Sequence, residues 1–144
     1  MVEKKYPKRY TAGLSEEDKK KQKKALDKST SDYKKGVYTQ RKKLDSFKSK
    51  KSSYVEEVKE KTGLGMNVDK LADKFSRSDK RKKELKTAFD QIIDKGRGAY
   101  FSSGSRPNQT PDSWGKARLA SVLTGGPSRK IDKKIVDKYN IPKI

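Results

Sequence analysis

The segment Tyr100-Phe-Ser-Ser-Gly-Ser-Arg-Pro-Asn-Gln-Thr-Pro-Asp-Ser-Trp-Gly-Lys-Ala-Arg-Leu-Ala-Ser-Val-Leu-Thr-Gly-Gly126 passes from turn chemistry to helix chemistry within a few residues. It holds the only tryptophan, Trp114, and two of the five prolines. Its one acid, Asp112, stands against Arg106, Lys116 and Arg118. Thr110 suits an N-cap, because its hydroxyl can accept from the first free backbone N–H groups. Pro111 fits N1, where a missing N–H costs nothing, and Asp112 complements the positive helix end. Gly125, Gly126 and Pro127 stop the helix. Trp114, Ala117, Leu119, Val122 and Leu123 give it a broad apolar side. The segment reads as a C-terminal packing unit, not a catalytic site.

The same logic places helices on both sides. Ser15 caps a helix whose first turn is Glu16-Glu17-Asp18, and which runs to about Lys34 and ends at Gly36. Its apolar residues are few (Ala25, Leu26, Tyr33), so it needs other structure to lean on. Ser53 with Glu56 forms a capping box for a helix over 54–62, closed by Gly63. Asn67 caps a helix with Val68, Leu71, Ala72 and Phe75 at i, i+3, i+4 and i+7. Ser78 caps another over about 79–95, carrying Leu85, Ala88, Phe89, Ile92 and Ile93 before Gly96. Ser128 caps a last helix over about 129–139, with Ile131, Ile135, Val136 and Tyr139 on one side, ended by Asn140. No alternating strand pattern and no fixed-period repeat stands out. The expected fold is mainly α: short-to-medium helices joined by extended basic straps, with no sheet. Residues 1–53 form a basic arm, polar helix and strap; residues 54–144 form a small helical domain ending in the Trp114 unit.

Two segments escape the helical pattern. Residues 1–14 read as an extended arm in which Pro7 biases Tyr6 away from helix. There Tyr6 and Tyr10 flank Arg9 and either dock on a partner or form a solvated tail. Residues 37–53 space Val37, Tyr38, Leu44 and Phe47 among Arg41, Lys42, Lys43 and Lys48. Basic residues interleaved with rings suit nucleic acid, where lysine meets phosphate and rings stack on bases. The favoured reading is a strap, with Leu44 and Phe47 pinned into pockets of a neighbouring protein. Lys20 and Lys24, in the run 19–24, are either a solvated face or an electrostatic contact with an anion.

The totals limit the chemistry. The 144 residues carry a formal net charge of +20, with 29% apolar and 40% charged residues. Such a composition leaves little apolar area to set against conformational entropy, so the chain is expected to take its shape within an assembly. The charge is spread evenly: residues 1–62 hold 20 Lys/Arg and 10 Asp/Glu, and residues 63–144 hold 19 and 9. An anionic counterpart follows, whether nucleic acid, lipid headgroups or an acidic protein surface. With no cysteine and no histidine, disulfides, a histidine base and a Ser/His or Cys/His nucleophile are excluded on residue type. No apolar run reaches the roughly 20 residues of a membrane span and no signal peptide is visible. A reducing compartment, or a particle assembled there, is expected.

Candidate ligand motifs are weak. Gly96-Arg-Gly98 with Gly104 lacks the Gly-Lys-Ser/Thr ending and preceding strand of a phosphate loop. Arg106 and Asn108 could hydrogen-bond a phosphate or carboxylate; a turn that aims the next helix is favoured. Trp114 is favoured as core over a base-stacking platform. Asp69, Asp73 and Asp79 are too scattered among lysines for a metal cluster. No cofactor and no enzymatic activity are expected.

Three long stretches, Lys5-Tyr-Pro-Lys-Arg-Tyr-Thr-Ala-Gly-Leu-Ser-Glu-Glu-Asp-Lys-Lys-Lys-Gln22, Lys43-Leu-Asp-Ser-Phe-Lys-Ser-Lys-Lys-Ser-Ser53 and Arg106 to Gly126, resemble a small basic family of large double-stranded DNA viruses of algae and protists, chlorella-virus or mimivirus-like. The resemblance covers most of the chain and brings no catalytic residues. The family is functionally obscure, and what the resemblance implies is origin: a viral protein, of the virion. A lysine-rich chain of helices and straps then suits a minor capsid protein on the inner capsid face that cements capsomers, assembled in the host cytoplasm. Its partners would be the major capsid protein, other minor capsid proteins and anionic inner-membrane headgroups. The alternative is a virion or replication-associated protein that binds DNA nonspecifically. The partner-binding candidates are Tyr6, Arg9, Tyr10, Lys20, Lys24, Arg41, Lys43, Leu44, Phe47, Lys48, Arg106 and Asn108.

Overall fold

Helix starts fall where a side-chain oxygen can reach a free backbone N–H, and this sets most of the architecture. A computed structural model of the chain describes residues 6–47 and 53–144. Among them lie seven helices and no strand: α1 (Glu16–Lys34), α2 (Ser53–Thr62), α3 (Val68–Lys74), α4 (Asp79–Ser102), α5 (Pro111–Thr124), α6 (Pro127–Ile131) and α7 (Lys133–Tyr139). A single 3-10 turn, Lys8–Tyr10, precedes them. The fold is mainly α. Ser15 Oγ accepts from the Asp18 N–H at 3.2 Å, Asn67 Oδ1 from Lys70 N–H at 3.0 Å, and Ser78 Oγ from Arg81 N–H at 3.1 Å. Thr110 and Ser113 cap reciprocally, each hydroxyl accepting from the other's backbone N–H. Helix α2 already includes Ser53, which is therefore within the helix rather than its cap.

The chain divides into two compact units, Met1–Lys50 with Arg97–Trp114, and Lys51–Gly96 with Gly115–Ile144. The sequence reading keeps residues 97–114 with the C-terminal part; in the structure they join the N-terminal segment. Helices α4 and α5 therefore contribute to both units, and the Tyr100–Gly126 segment is shared between them rather than forming one packing unit.

In the first unit, Tyr10, Leu14, Leu26 and Tyr100 are buried together with the polar Gln22, Ser29, Thr30 and Ser105. Gln22 Nε2 donates to the Tyr10 carbonyl at 3.2 Å, which ties the N-terminal segment to α1. The expected free arm is thus folded back over residues 6–14. Tyr10 meets the half-buried Trp114 edge-on, with ring centroids 6.1 Å apart. Gly104 closes this unit: its φ is +100°, and a Cβ there would stand 2.8 Å from Leu26 Cδ2 and 3.1 Å from Tyr10 Cε2.

In the second unit, Val58, Leu71, Leu85, Phe89, Ile92, Leu119, Leu123 and Val136 belong to one contiguous apolar core, drawn from α2, α3, α4, α5 and α7. This is more self-burial than the composition suggests, because the few apolar residues sit at helical spacing on facing sides. Among the described residues, no buried side-chain nitrogen or oxygen lacks a partner. Arg81 stabilises the end of α7 by donating to the carbonyls of Tyr139 at 2.6 Å and Asn140 at 2.7 Å, a cation at a negative helix end.

Two elements differ from expectation. Helix α4 does not stop before Gly96 but runs through Gly96 and Gly98 to Ser102. Each interior glycine costs about 0.5–1 kcal/mol, whereas fully burying a large apolar side chain contributes about 1.5–3 kcal/mol, and Tyr100 is fully buried. The stop comes at Gly104, whose N–H bonds to the Ala99 carbonyl at 3.0 Å. The last helix is broken at Asp132 into α6 and α7, and α6 starts from Gly126 with Pro127 at its first position rather than from Ser128. Asp132 is buried and takes a two-point contact from Arg118, at 2.8 and 2.7 Å, with Lys95 at 3.7 Å. That ion pair holds the break. Ile131, expected on the apolar side, is left 67% exposed.

Candidate functional site

A surface that recruits an anion needs cations without intramolecular partners, so the acids of this chain are the place to begin. On α1, Lys19 pairs with Glu16, Lys21 with Glu17 and Asp18, and Lys28 with Asp32. Lys20, Lys23 and Lys24 are exposed and form no salt bridge among the described residues. Their spacing, i, i+3 and i+4, groups them on one side of α1. The buried positions Gln22, Leu26 and Ser29 occupy the opposite side. Helix α1 thus presents a compact lysine triad on a packed helix.

The acids of the first unit are further committed. The Ser46 hydroxyl donates to Asp18, and the Ser46 N–H donates to it at 3.2 Å; both hold the Asp18 carboxyl below the usual carboxylate range. Asp32 accepts from the Thr39 hydroxyl at 2.7 Å and from Lys28 at 3.0 Å, and is lowered by both. Asp27 accepts from the Tyr6 hydroxyl at 2.7 Å. Burial first, and that hydrogen bond second, push the Tyr6 phenol up to about 12. Arg97 Nε bonds Asp112 at 2.6 Å.

The expected partner-binding residues separate into two groups. Tyr6, Tyr10, Arg41, Leu44, Phe47 and Asn108 are used inside the first unit. Arg41 lies over the Tyr100 ring at 3.8 Å and donates to Ser29 Oγ at 2.7 Å, the Tyr100 carbonyl at 3.0 Å and Ser105 Oγ at 2.7 Å. Its guanidinium is partly buried, and burial pulls its pKa down. Asn108, in the left-handed region at φ 58°, brackets Leu44: its carbonyl oxygen takes the Leu44 N–H at 2.7 Å and its amide donates to the Leu44 carbonyl at 3.1 Å. Phe47 lies over Gly13. Over residues 37–47 the strap is therefore pinned to its own chain. Arg9, Lys20, Lys24, Lys43 and Arg106 remain exposed, with Arg9 5.0 Å from the Tyr10 ring centroid. Lys48 lies outside the described residues.

The sequence reading did not single out a series of rings in this unit, two of them exposed and the third, Phe101, half-buried. Tyr33, Tyr38 and Phe101 lie in series, with centroid separations of 6.0 and 5.3 Å. The signal for Tyr33 and Tyr38 is present, since they flank the chain reversal at Gly36. Nothing local announces Phe101, which comes from the far end of α4.

In the second unit, Lys86 pairs with Asp69 at 2.9 Å and Lys82 with Asp73 at 3.7 Å around a shallow hollow between α3 and α4. Asp69 is lowered and Lys86 raised by their mutual hydrogen bond. Asp69 and Asp73 are thus ion-pair partners of lysines. Among the described residues no group of three acids could hold a metal ion, and no helix is long and apolar enough to cross a membrane.

The fold defines a class: a lysine-rich, mainly helical protein of two compact units. Residues 7–138 match a protein family described as a family of unknown function, DUF5824, and the chain belongs to that family. No curated protein and no solved structure matches it.

Proposed function

We propose that this chain is a structural docking protein that binds an acidic macromolecular surface through helix-borne lysines and performs no catalysis. The resemblance of its three long motifs to a functionally obscure family of large DNA viruses, together with the lysine-rich helices, makes the specific reading a minor capsid protein of a large icosahedral DNA virus, on the inner capsid face, cementing capsomers. The observation that carries the proposal is the Lys20, Lys23 and Lys24 triad: three exposed cations on one side of a packed helix, none of them in a salt bridge among the described residues. Arg9, Lys43 and Arg106 in the same unit add exposed positive charge. A surface of this kind gains speed and orientation from long-range attraction to an acidic partner.

Virion disruption tests it. After nuclease treatment the chain stays with capsid shells, and a Lys20→Glu, Lys23→Glu, Lys24→Glu variant is released from them. Departure with the genome core, together with retardation of any duplex by the free protein and a log–log salt slope of several units, overturns the capsid reading in favour of nonspecific DNA binding.

A further inference from the structure

Among the described residues the exposed large apolar side chains are Tyr33 (38%), Val37 (51%), Tyr38 (68%) and Ile131 (67%), and three of the four fall within six residues of one another. Side chains of this size concentrated in one place on a chain otherwise rich in lysine call for a partner. The local backbone explains how they come together. Helix α1 ends with Gly36, at φ +81°, donating to the Tyr33 carbonyl at 3.0 Å, while the Val37 N–H bonds to the Asp32 carbonyl at 2.9 Å. That reversal returns Tyr38 onto Tyr33. The Phe101 ring extends the series, fixed by an edge contact with the buried Tyr100 at 5.0 Å. The Tyr100 hydroxyl in turn accepts the Arg41 N–H at 2.9 Å, anchoring the strap beside the rings. The patch is built before any partner arrives, which lowers the ordering cost of binding.

Charge identifies the partner. Lys34 and Lys35 follow Tyr33, and Lys42 lies four residues beyond Tyr38; all three are exposed and in no salt bridge among the described residues. The nearby acid, Asp32, is already held by Thr39 and Lys28. Geometry narrows the choice further. The Tyr33–Tyr38 and Tyr38–Phe101 ring planes are inclined at 52° and 54°. Successive nucleotide bases stack on flat ring faces, whereas rings inclined at these angles offer edges and faces in turn, which suit contact with an apolar side chain. We infer that Tyr33, Val37, Tyr38 and Phe101, with the exposed Lys34, Lys35 and Lys42 close to them in the chain, form the docking site for an acidic peptide segment of a partner protein that carries an apolar anchor. The inference rests on the docking role proposed above and adds a second contact, different in kind from the lysine triad.

The test uses the full chain and three labelled probes followed by fluorescence anisotropy: a peptide alternating glutamate and leucine, one alternating glutamate and serine, and oligothymidylate. The glutamate–leucine peptide binds best, and Tyr38→Ala weakens it about tenfold, the size of an interface hot spot. Helical circular dichroism is unchanged in that variant because Tyr38 is exposed. Equal binding of the glutamate–serine peptide, or equal affinity of Tyr38→Ala, overturns the site. Ring-dependent binding of oligothymidylate instead overturns the peptide assignment in favour of single-stranded nucleic acid. The two proposals separate cleanly. If Tyr38→Ala leaves peptide binding intact while the triple glutamate variant still leaves the shells, only the ring site is lost. If the unaltered chain never associates with shells, the docking role is lost whatever the peptides do.

Discussion

Gly115 is the position at which a single atom decides most. A Cβ there would stand 2.5 Å from the Ile93 carbonyl oxygen and 2.9 Å from Ile93 Cγ2, so α5 passes α4 of the second unit at backbone distance. Gly115→Ala is expected to lower stability by about 1–3 kcal/mol, the usual cost of overpacking, read as a fall in the urea midpoint. Titration supplies another residue-scale consequence. Asp18, Asp32 and Asp69 are held below the ordinary carboxylate value by hydroxyl, amide and lysine donors. A carboxyl with a lowered folded-state pKa contributes stability above its unfolded value, and that contribution is lost as pH falls through the folded value. Melting temperature should therefore drop as pH falls below 3.8, and Asp18→Asn should make the decline shallower. A melting curve flat across that range would contradict the assignment.

At the scale of elements, α4 has the most to say. It keeps two glycines in its interior because residues beyond them, Tyr100 above all, are anchored by burial. Gly98 meets nothing within 4 Å of a built Cβ. Gly98→Ala should consequently stabilise the protein by about 0.5–1 kcal/mol through the reduced entropy of the unfolded chain. A higher thermal midpoint, with peptide and shell binding unchanged, is the expected result. The break between α6 and α7 depends on the opposite kind of force. It exists because Asp132 takes two hydrogen bonds from Arg118, a long-range partner that no local propensity announces.

For the whole molecule, the two units differ in what holds each of them. The second has the contiguous apolar core; the first relies on a few apolar side chains, buried polar groups and the Arg41 contacts. Local stability follows buried apolar contact. Amide hydrogen exchange should accordingly be slowest over Leu85–Ile93 of α4 and Leu119–Leu123 of α5, and faster along α1. Equal protection of α1 would show that the polar network contributes as much as the core.

Capping and periodicity are short-range properties, and they made the fold class and most helix starts legible from the sequence. Ser15, Asn67, Ser78 and Thr110 act within three residues of themselves, and Val68, Leu71 and Ala72 declare their side of α3 by spacing alone. The positions of Lys20 and Lys24 on an exposed helix face were legible for the same reason. Tertiary structure alone decided that Arg41, Leu44 and Asn108 serve the chain's own interior, that α4 continues past Gly98, and that Tyr38 meets Phe101. Each of these joins residues some sixty positions apart, or depends on an anchor supplied from elsewhere in the fold. Such pairings carry no trace in local sequence, because only the packing of distant segments determines whether a basic or aromatic side chain finds a partner within the chain or faces solvent.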